Sequence, residues 1–204
     1  NYQVESSGNI KKFDIKFKKI KKVLFIKDKI NNLSLEKTDF KINFAKDNKK
    51  LINLIGLYKV NDSLLQKFDF NNSYNSSSHK MSINGDFNKE IIVPIINFNS
   101  SKTTNISSIL EMNKDKINIK KFELKEDKNK IEIKNLFVKN KRLVKFDIIN
   151  VKTFIDNILN NDFKVSFKNQ IKVEGSKYDA SNLTKLLEQD NNSNFLKNIN
   201  KEIF

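Results

Sequence analysis

Cysteine is absent from this chain of 204 residues, and histidine and glycine are scarce, with one His and four Gly. Each shortage closes a class of chemistry. Without cysteine there is no disulfide framework, no thiolate metal site and no Cys nucleophile, although the compartment stays open, because cysteine-free proteins occur everywhere. A zinc centre needs several nitrogen or sulfur ligands acting together, and His79 stands alone at the edge of a polar loop, where it reads as a solvated residue. Gly8, Gly56, Gly85 and Gly175 are dispersed, so there is neither a Gly-rich phosphate loop nor a nucleophile elbow. Adjacent carboxylates such as Glu126 and Asp127 point different ways on a strand or turn and read as turn residues, not as a general acid and base. No constellation of side chains marks an enzyme. Nor does any apolar run approach the roughly 18 to 20 residues of a membrane-crossing helix, and the start lacks the tripartite pattern of a secretory signal. The first residue is Asn1 rather than Met, as expected of a processed protein or of a piece cut from a longer one, in either of which an anchor or targeting peptide would lie outside this segment.

Arginine is almost missing too, and this qualifies the charge. The formal net charge is +15, with 39 basic residues, which would ordinarily point to nucleic acid or an anionic membrane. Only Arg142 carries the planar guanidinium on which phosphate and base recognition leans. The lysines between Lys11 and Lys22 alternate with apolar residues instead of forming a block, so they read as the wet face of strands. The abundance of Lys, Asn, Ile and Phe is that of an AT-rich genome. Nucleic acid is therefore not the expected partner.

What is present is alternation. Phe13, Ile15 and Phe17 are separated by polar residues, as are Phe40, Ile42 and Phe44, which places each set on one side of a pleated strand. The pattern returns at Ile117 and Ile119, Phe122 and Leu124, Ile131 and Ile133, Phe146 and Ile148, then Phe163, Val165 and Phe167, and Ile171 and Val173. Short polar breaks at Glu126 to Asn129, Asn140 to Arg142 and Asn160 to Asp162 suit hairpin turns, and short connections imply antiparallel neighbours. The expectation is a mainly β chain, 1–204 as one segment, forming an elongated, curved antiparallel sheet as an open groove. One or two short helices accompany it. The clearer covers about 180–189, with Asp179 or Ser181 as cap and Leu183, Leu186 and Leu187 on one face. A weaker one is Thr104 to Met112, and Leu51 to Leu65 fits either helix or buried strand. The Asn- and Ser-rich stretch Asn71 to Ser78 reads as a loop, with 71–79 a soft seam between two halves of the sheet.

The 17 Phe are either an ordinary β core or the lining of a hydrophobic trough. A long sheet that curls without closing leaves a concave apolar surface that a sheet, helix or ligand must cover. Lipid acyl chains would supply that cover without any catalytic residue.

The stretch from Lys116 through Glu188 resembles the AsmA-like envelope proteins, specifically the YhdP-type branch of proteobacteria. The resemblance is carried by Lys116-Ile117-Asn118-Ile119-Lys120-Lys121-Phe122-Glu123-Leu124, by Lys130-Ile131-Glu132-Ile133-Lys134-Asn135-Leu136, and above all by Val173-Glu174-Gly175-Ser176-Lys177-Tyr178-Asp179-Ala180-Ser181-Asn182-Leu183. This last run is similar to the family's glycine, aromatic, Asp-Ala pattern, where a strand ends and a short helix begins. The resemblance implies a taco-shaped sheet in the periplasm, anchored at the inner membrane by a part outside this segment. It also implies a role in phospholipid movement towards the outer membrane and in the outer-membrane barrier. On that reading phospholipid acyl chains are the partner, with no cofactor and no metal. Phe122, Leu124, Ile131, Ile133, Phe163, Val165, Phe167, Ile171 and Val173 are the expected lining. Gly175 (bend), Tyr178, Asp179 (cap) and Leu183 (docking) are expected to be structural. Two other classes stand beside it: a surface or adhesin-like β domain that binds a macromolecule through its polar loops, and a lysine-rich nucleic-acid-binding module.

Overall fold

The computed structural model describes residues 3–21, 25–45, 50–75, 77–140, 142–167 and 169–182. Five strands come first, β1 (Gln3–Lys21), β2 (Ile30–Ala45), β3 (Lys50–Val60), β4 (Gln66–Tyr74) and β5 (His79–Phe87). A detour follows through β6 (Ile92–Val93), a single 3-10 turn at Pro94–Ile96, and β7 (Phe98–Asn99). The chain then returns as β8 (Thr104–Asn113), β9 (Lys116–Glu126), β10 (Asn129–Lys139), β11 (Arg142–Ile155), β12 (Ile158–Phe167) and β13 (Ile171–Lys177). Eleven of these strands form one antiparallel sheet in chain order, with β8 beside β5 and with β1 and β13 at its two unclosed edges. β6 and β7 pair only with each other. The expected curved, mainly β, open architecture is what the chain adopts.

Asn and Asp make the turns, as their tolerance of left-handed backbone allows. Positive φ occurs at Asn61, Asp127 and Asn140, and Asp156 and Asn157 together form a two-residue hairpin with φ of 50° and 65°. Two consecutive left-handed residues match the twist of the flanking strands. This displaces the turn expected at Asn160 to Asp162. The chain reverses at Asp156-Asn157, and Asn160 and Asn161 lie inside β12, where Asn161 is fully buried. Both segments have turn composition, and the one that supplies two adjacent left-handed residues, Asp156-Asn157, is the turn.

Three further expectations change. Thr104 to Met112 is not a helix but strand β8, paired along its length with β5 and β9. Cross-strand partners for Ile106, Leu110 and Met112 outweigh the local i, i+3 spacing. The ambiguous Leu51 to Leu65 is β3 followed by a turn. Asn71 to Tyr74 is not loop, since it pairs with β3 on one side and β5 on the other, and the connection to β5 begins only at Asn75. The expected helix at about 180–189 lies, beyond Asn182, outside the described residues.

Close strand packing depends on glycine at Gly56, where a β-carbon would sit 2.5 Å from the Cα of Thr38 and 2.7 Å from its Cβ. Thr38 is fully buried and has nowhere to go. Gly56→Ala is therefore expected to destabilise the fold by about 1–3 kcal/mol through overpacking, read as a lower denaturation midpoint. An equivalent change at the exposed Leu64 leaves the midpoint in place.

Candidate functional site

Residues directly opposite one another in a ladder project to the same side of the sheet, so the registers can be followed across the whole structure. One line runs Ile42, Ile52, Asn72, Met81, Leu110, Ile119, Leu136. Another runs Ile106, Leu124, Ile131, Val151, Phe163. Where a bulge adds a residue, the apolar pattern shifts by the same step. The register slips between Ile109 and Leu110 on β8, and Ile117 and Ile119 come onto the face that Phe122 and Leu124 occupy above the slip. From β1 to β13 most of the apolar positions share one face, with exceptions such as Ile55 and Ile109, which pair with charged residues on the other.

At one end of the strands the detour 88–102 lies across this face as a cap. Its Ile91, Ile96 and Phe98 form a single buried cluster with Phe87, Leu124, Ile131 and Val151, against which Tyr58, Ile106, Phe122, Ile149 and Phe163 pack. Strands from β3 to β12 thus converge on one short segment, and the sheet curls around it. The cap is tied at both ends. The amides of Lys27 and Ile92 donate to the carbonyls of Glu90 and Phe25 at 3.1 and 2.8 Å, joining it to the β1–β2 connection. At the far side Asn161 donates to the Ile96 carbonyl (2.8 Å) and to Thr153 Oγ1 (2.8 Å), and accepts from the Asp179 amide at 2.8 Å. Glu126, also buried, accepts from the amides of Ser101 and Lys102 at 2.7 and 2.6 Å. It fastens the cap's return to β8. Tyr58 donates to the Asp86 carbonyl at 2.7 Å, and burial pushes its hydroxyl up to about 12.

The registers of β9 to β13 place all nine expected lining residues on the apolar face. Their surroundings differ. Leu124 and Ile131 are core beneath the cap, and Phe122 and Phe163 pack against that core. Phe167 is buried edge-to-face against Phe146. Val173, at 63% exposed, is open. Other positions on the face are open too, Phe13 and Ile117 among those the strand alternation marks, and Val4 and Ile83 among those it does not.

The structural set behaves in a related way. Gly175 pairs with Phe163 beside a register slip, and a β-carbon there would meet the Asp162 carbonyl oxygen at 2.4 Å. Tyr178 packs edge-to-face on Phe163 and donates to the Ile95 carbonyl at 2.9 Å. Asp179 accepts from the Ser181 hydroxyl and amide and from the Asn97 side chain, which hold its carboxyl down at about 2. Tyr178 and Asp179 therefore anchor the cap. Leu183 lies outside the described residues. The cap itself, with Asn97 and Asn161, is the feature that strand alternation hides, since 88–102 has neither helical nor strand period. His79 stacks on Tyr74 at 5.1 Å. Among the described residues no group of acidic and His side chains could hold a metal ion, and no helix is long and apolar enough to cross a membrane.

The opposite face is ionic. Glu123 is bracketed by Lys125, Lys130 and Lys121 at 3.0, 3.1 and 3.7 Å, Glu132 by Lys134 and Lys130 at 3.4 and 3.8 Å, and Glu174 by Lys172 and Lys164 at 2.7 and 3.0 Å. Lys125 holds the Glu123 carboxyl down at about 2, against the opposing pull of burial, with Lys130 assisting. Lys172 and then Lys164 do the same at Glu174, also to about 2. Burial pushes Glu132 up, yet the Asn150 amide and the Lys134 ammonium bring it net below its ordinary value. A carboxylate whose folded-state pKa is depressed adds stability above its unfolded value and loses it as pH falls through the folded one. The ladder is therefore expected to weaken between about pH 4.5 and about pH 2. Acid titration followed by circular dichroism should show that loss, and Glu123→Gln should make the profile shallower there.

Comparison with family models, with curated proteins and with solved structures finds no match to this chain.

Proposed function

We propose that this chain is a section of a hydrophobic groove that shelters phospholipid acyl chains, within a non-enzymatic envelope protein of the AsmA-like type. On this reading it works in the periplasm, held at the inner membrane by a part outside this segment, and serves phospholipid movement towards the outer membrane. The supporting observation is one apolar face carried across eleven strands of an unclosed sheet, capped at one end and open elsewhere at positions such as Phe13, Ile83 and Val173. Each methylene moved from water onto such a surface contributes about 0.8 kcal/mol, enough to hold an acyl chain without a specific bond. The ionic face argues against the nucleic-acid reading, because its lysines are interleaved with carboxylates instead of forming an unbroken basic patch.

The test is retention of lipid. The chain, stripped of lipid and refolded, is mixed with vesicles containing a phosphatidylethanolamine labelled on one acyl chain and then separated from them by gel filtration. Labelled lipid is expected to travel with the protein. A protein peak with native circular dichroism and no label overturns the reading.

A further inference from the structure

The apolar face has its own charge distribution. Among the regularly paired residues from β2 to β12 it carries one acidic group, Glu126, which is committed to the cap. Its basic groups are Lys50 and His79, and both lie at the strand ends away from the cap. The register there runs Phe44, Lys50, Tyr74, His79, Met112. The Lys50 ammonium sits 5.7 Å from the Phe44 ring centre and 5.2 Å from that of Tyr74, and Tyr74 in turn stacks on His79.

Lys50 differs from the lysines of the other face. Those meet carboxylates, as Lys125 and Lys130 meet Glu123. Among the described residues Lys50 faces aromatic rings and no carboxylate. A half-buried ammonium on an apolar surface keeps a desolvation cost that ring faces offset only in part. An anion seated there would offset the rest. From this end the face runs towards the cap. Between Lys50 and Tyr58 the strand covers roughly 26 Å at about 3.3 Å per residue, more than the roughly 15 Å that one leaflet contributes to a bilayer's hydrocarbon core of about 30 Å.

We infer that Lys50, flanked by Tyr74 and His79, seats the anionic phosphate head of a phospholipid whose acyl chains run along the apolar face towards the cap. The inference rests on the groove reading and adds a headgroup position and a direction to it. The chain would take its lipid head-outward at the 50/74/79 end, with the tails stopping at Leu124 and Phe87.

Two probes with identical labelled acyl chains separate the terms, phosphatidylglycerol, which has the phosphate, and diacylglycerol, which lacks it. The delipidated chain is expected to bind phosphatidylglycerol about tenfold more tightly, as one charge-assisted contact allows. Lys50→Gln should remove that preference and leave diacylglycerol binding unchanged, and Lys50→Arg should restore it. Lys80→Gln, which removes a lysine paired with Glu111, should alter neither. If Lys50→Gln weakens both probes equally, or neither, the headgroup seat is wrong while the groove stands. If inorganic phosphate displaces phosphatidylglycerol at micromolar concentration, the site is one for a free anion and the inference is overturned. If neither probe binds the unaltered chain, the groove reading falls and takes the seat with it.

Discussion

Placing glutamate at Ile83 or Val173 is expected to cut lipid uptake by tenfold or more, whereas glutamate at Ile109 or Ile55 leaves it unchanged. The four positions form a matched set. Ile83 and Val173 are 45% and 63% exposed, and Ile109 and Ile55 are 47% and 50% exposed. A charge at any of them keeps access to water in the free protein, so folding costs are small, and largest at Ile55, where the new carboxylate stands opposite Asp39 and Asp69. The face is what separates the pairs. Ile83 pairs with Phe70 and Ser108, and Val173 with Val165, on the apolar side. Ile109 pairs with Lys121, and Ile55 with Asp39 and Asp69, on the ionic side. Acyl chains lying on the apolar face would have to desolvate a carboxylate at Ile83 or Val173, a cost of at least about 1.4 kcal/mol and hence a factor of ten. Uptake is measured by gel filtration with labelled lipid, and circular dichroism confirms the fold of each variant. Equal loss on both faces, or none on either, would show that lipid does not choose the apolar side.

This contrast also marks how far the chain could be read before its structure. Alternation at Phe13, Phe40, Phe122 and Phe163 gives strands, and strands joined by short Asn- and Asp-containing links give an antiparallel sheet in chain order. Both follow from local chemistry. Which face a residue takes beyond a bulge does not, because one inserted residue inverts the parity, as Lys120 does on β9 opposite the step from Ile109 to Leu110. The Asn- and Ser-rich run at Asn71 to Ser78 has turn composition, yet its first four residues are held in β4 by neighbours on both sides. The cap was least legible of all. Its Ile91, Ile96 and Phe98 have no periodicity, and its anchors Asn161 and Asp179 lie 65 and 82 residues along the chain from their partners. Lys50 looked like one more lysine in a lysine-rich chain. Its distinction comes from the rings opposite it, which only the register assembles.

The cap should also be the most stability-sensitive part of the fold, and Leu124→Ala tests this. Leu124 is 2% exposed and touches the cluster in which Ile91, Ile96 and Phe98 of the cap meet Phe87, Ile131 and Val151 of the sheet. Truncation removes methyl groups from a site fixed by two layers, so the cavity cannot easily collapse. The expected cost is about 2–5 kcal/mol, a large share of the roughly 5–15 kcal/mol that holds a typical domain. Asn161→Ala reaches the same segment by a different route, leaving the Ile96 carbonyl, the Asp179 amide and the Thr153 hydroxyl without their partner. Each such buried polar group costs about 1–3 kcal/mol. Ile83→Ala on the open part of the same face removes little buried area and should cost less than about 1 kcal/mol. Urea denaturation ranks the three, and hydrogen exchange locates the effect. Leu124→Ala and Asn161→Ala should accelerate exchange at Ile91, Ile92 and Ser100, whose amides are bonded in and around the cap, before the edge strand β1 is affected. If Ile83→Ala proves as costly as Leu124→Ala, the curl of the sheet is not held by the cap and arises from the strands themselves.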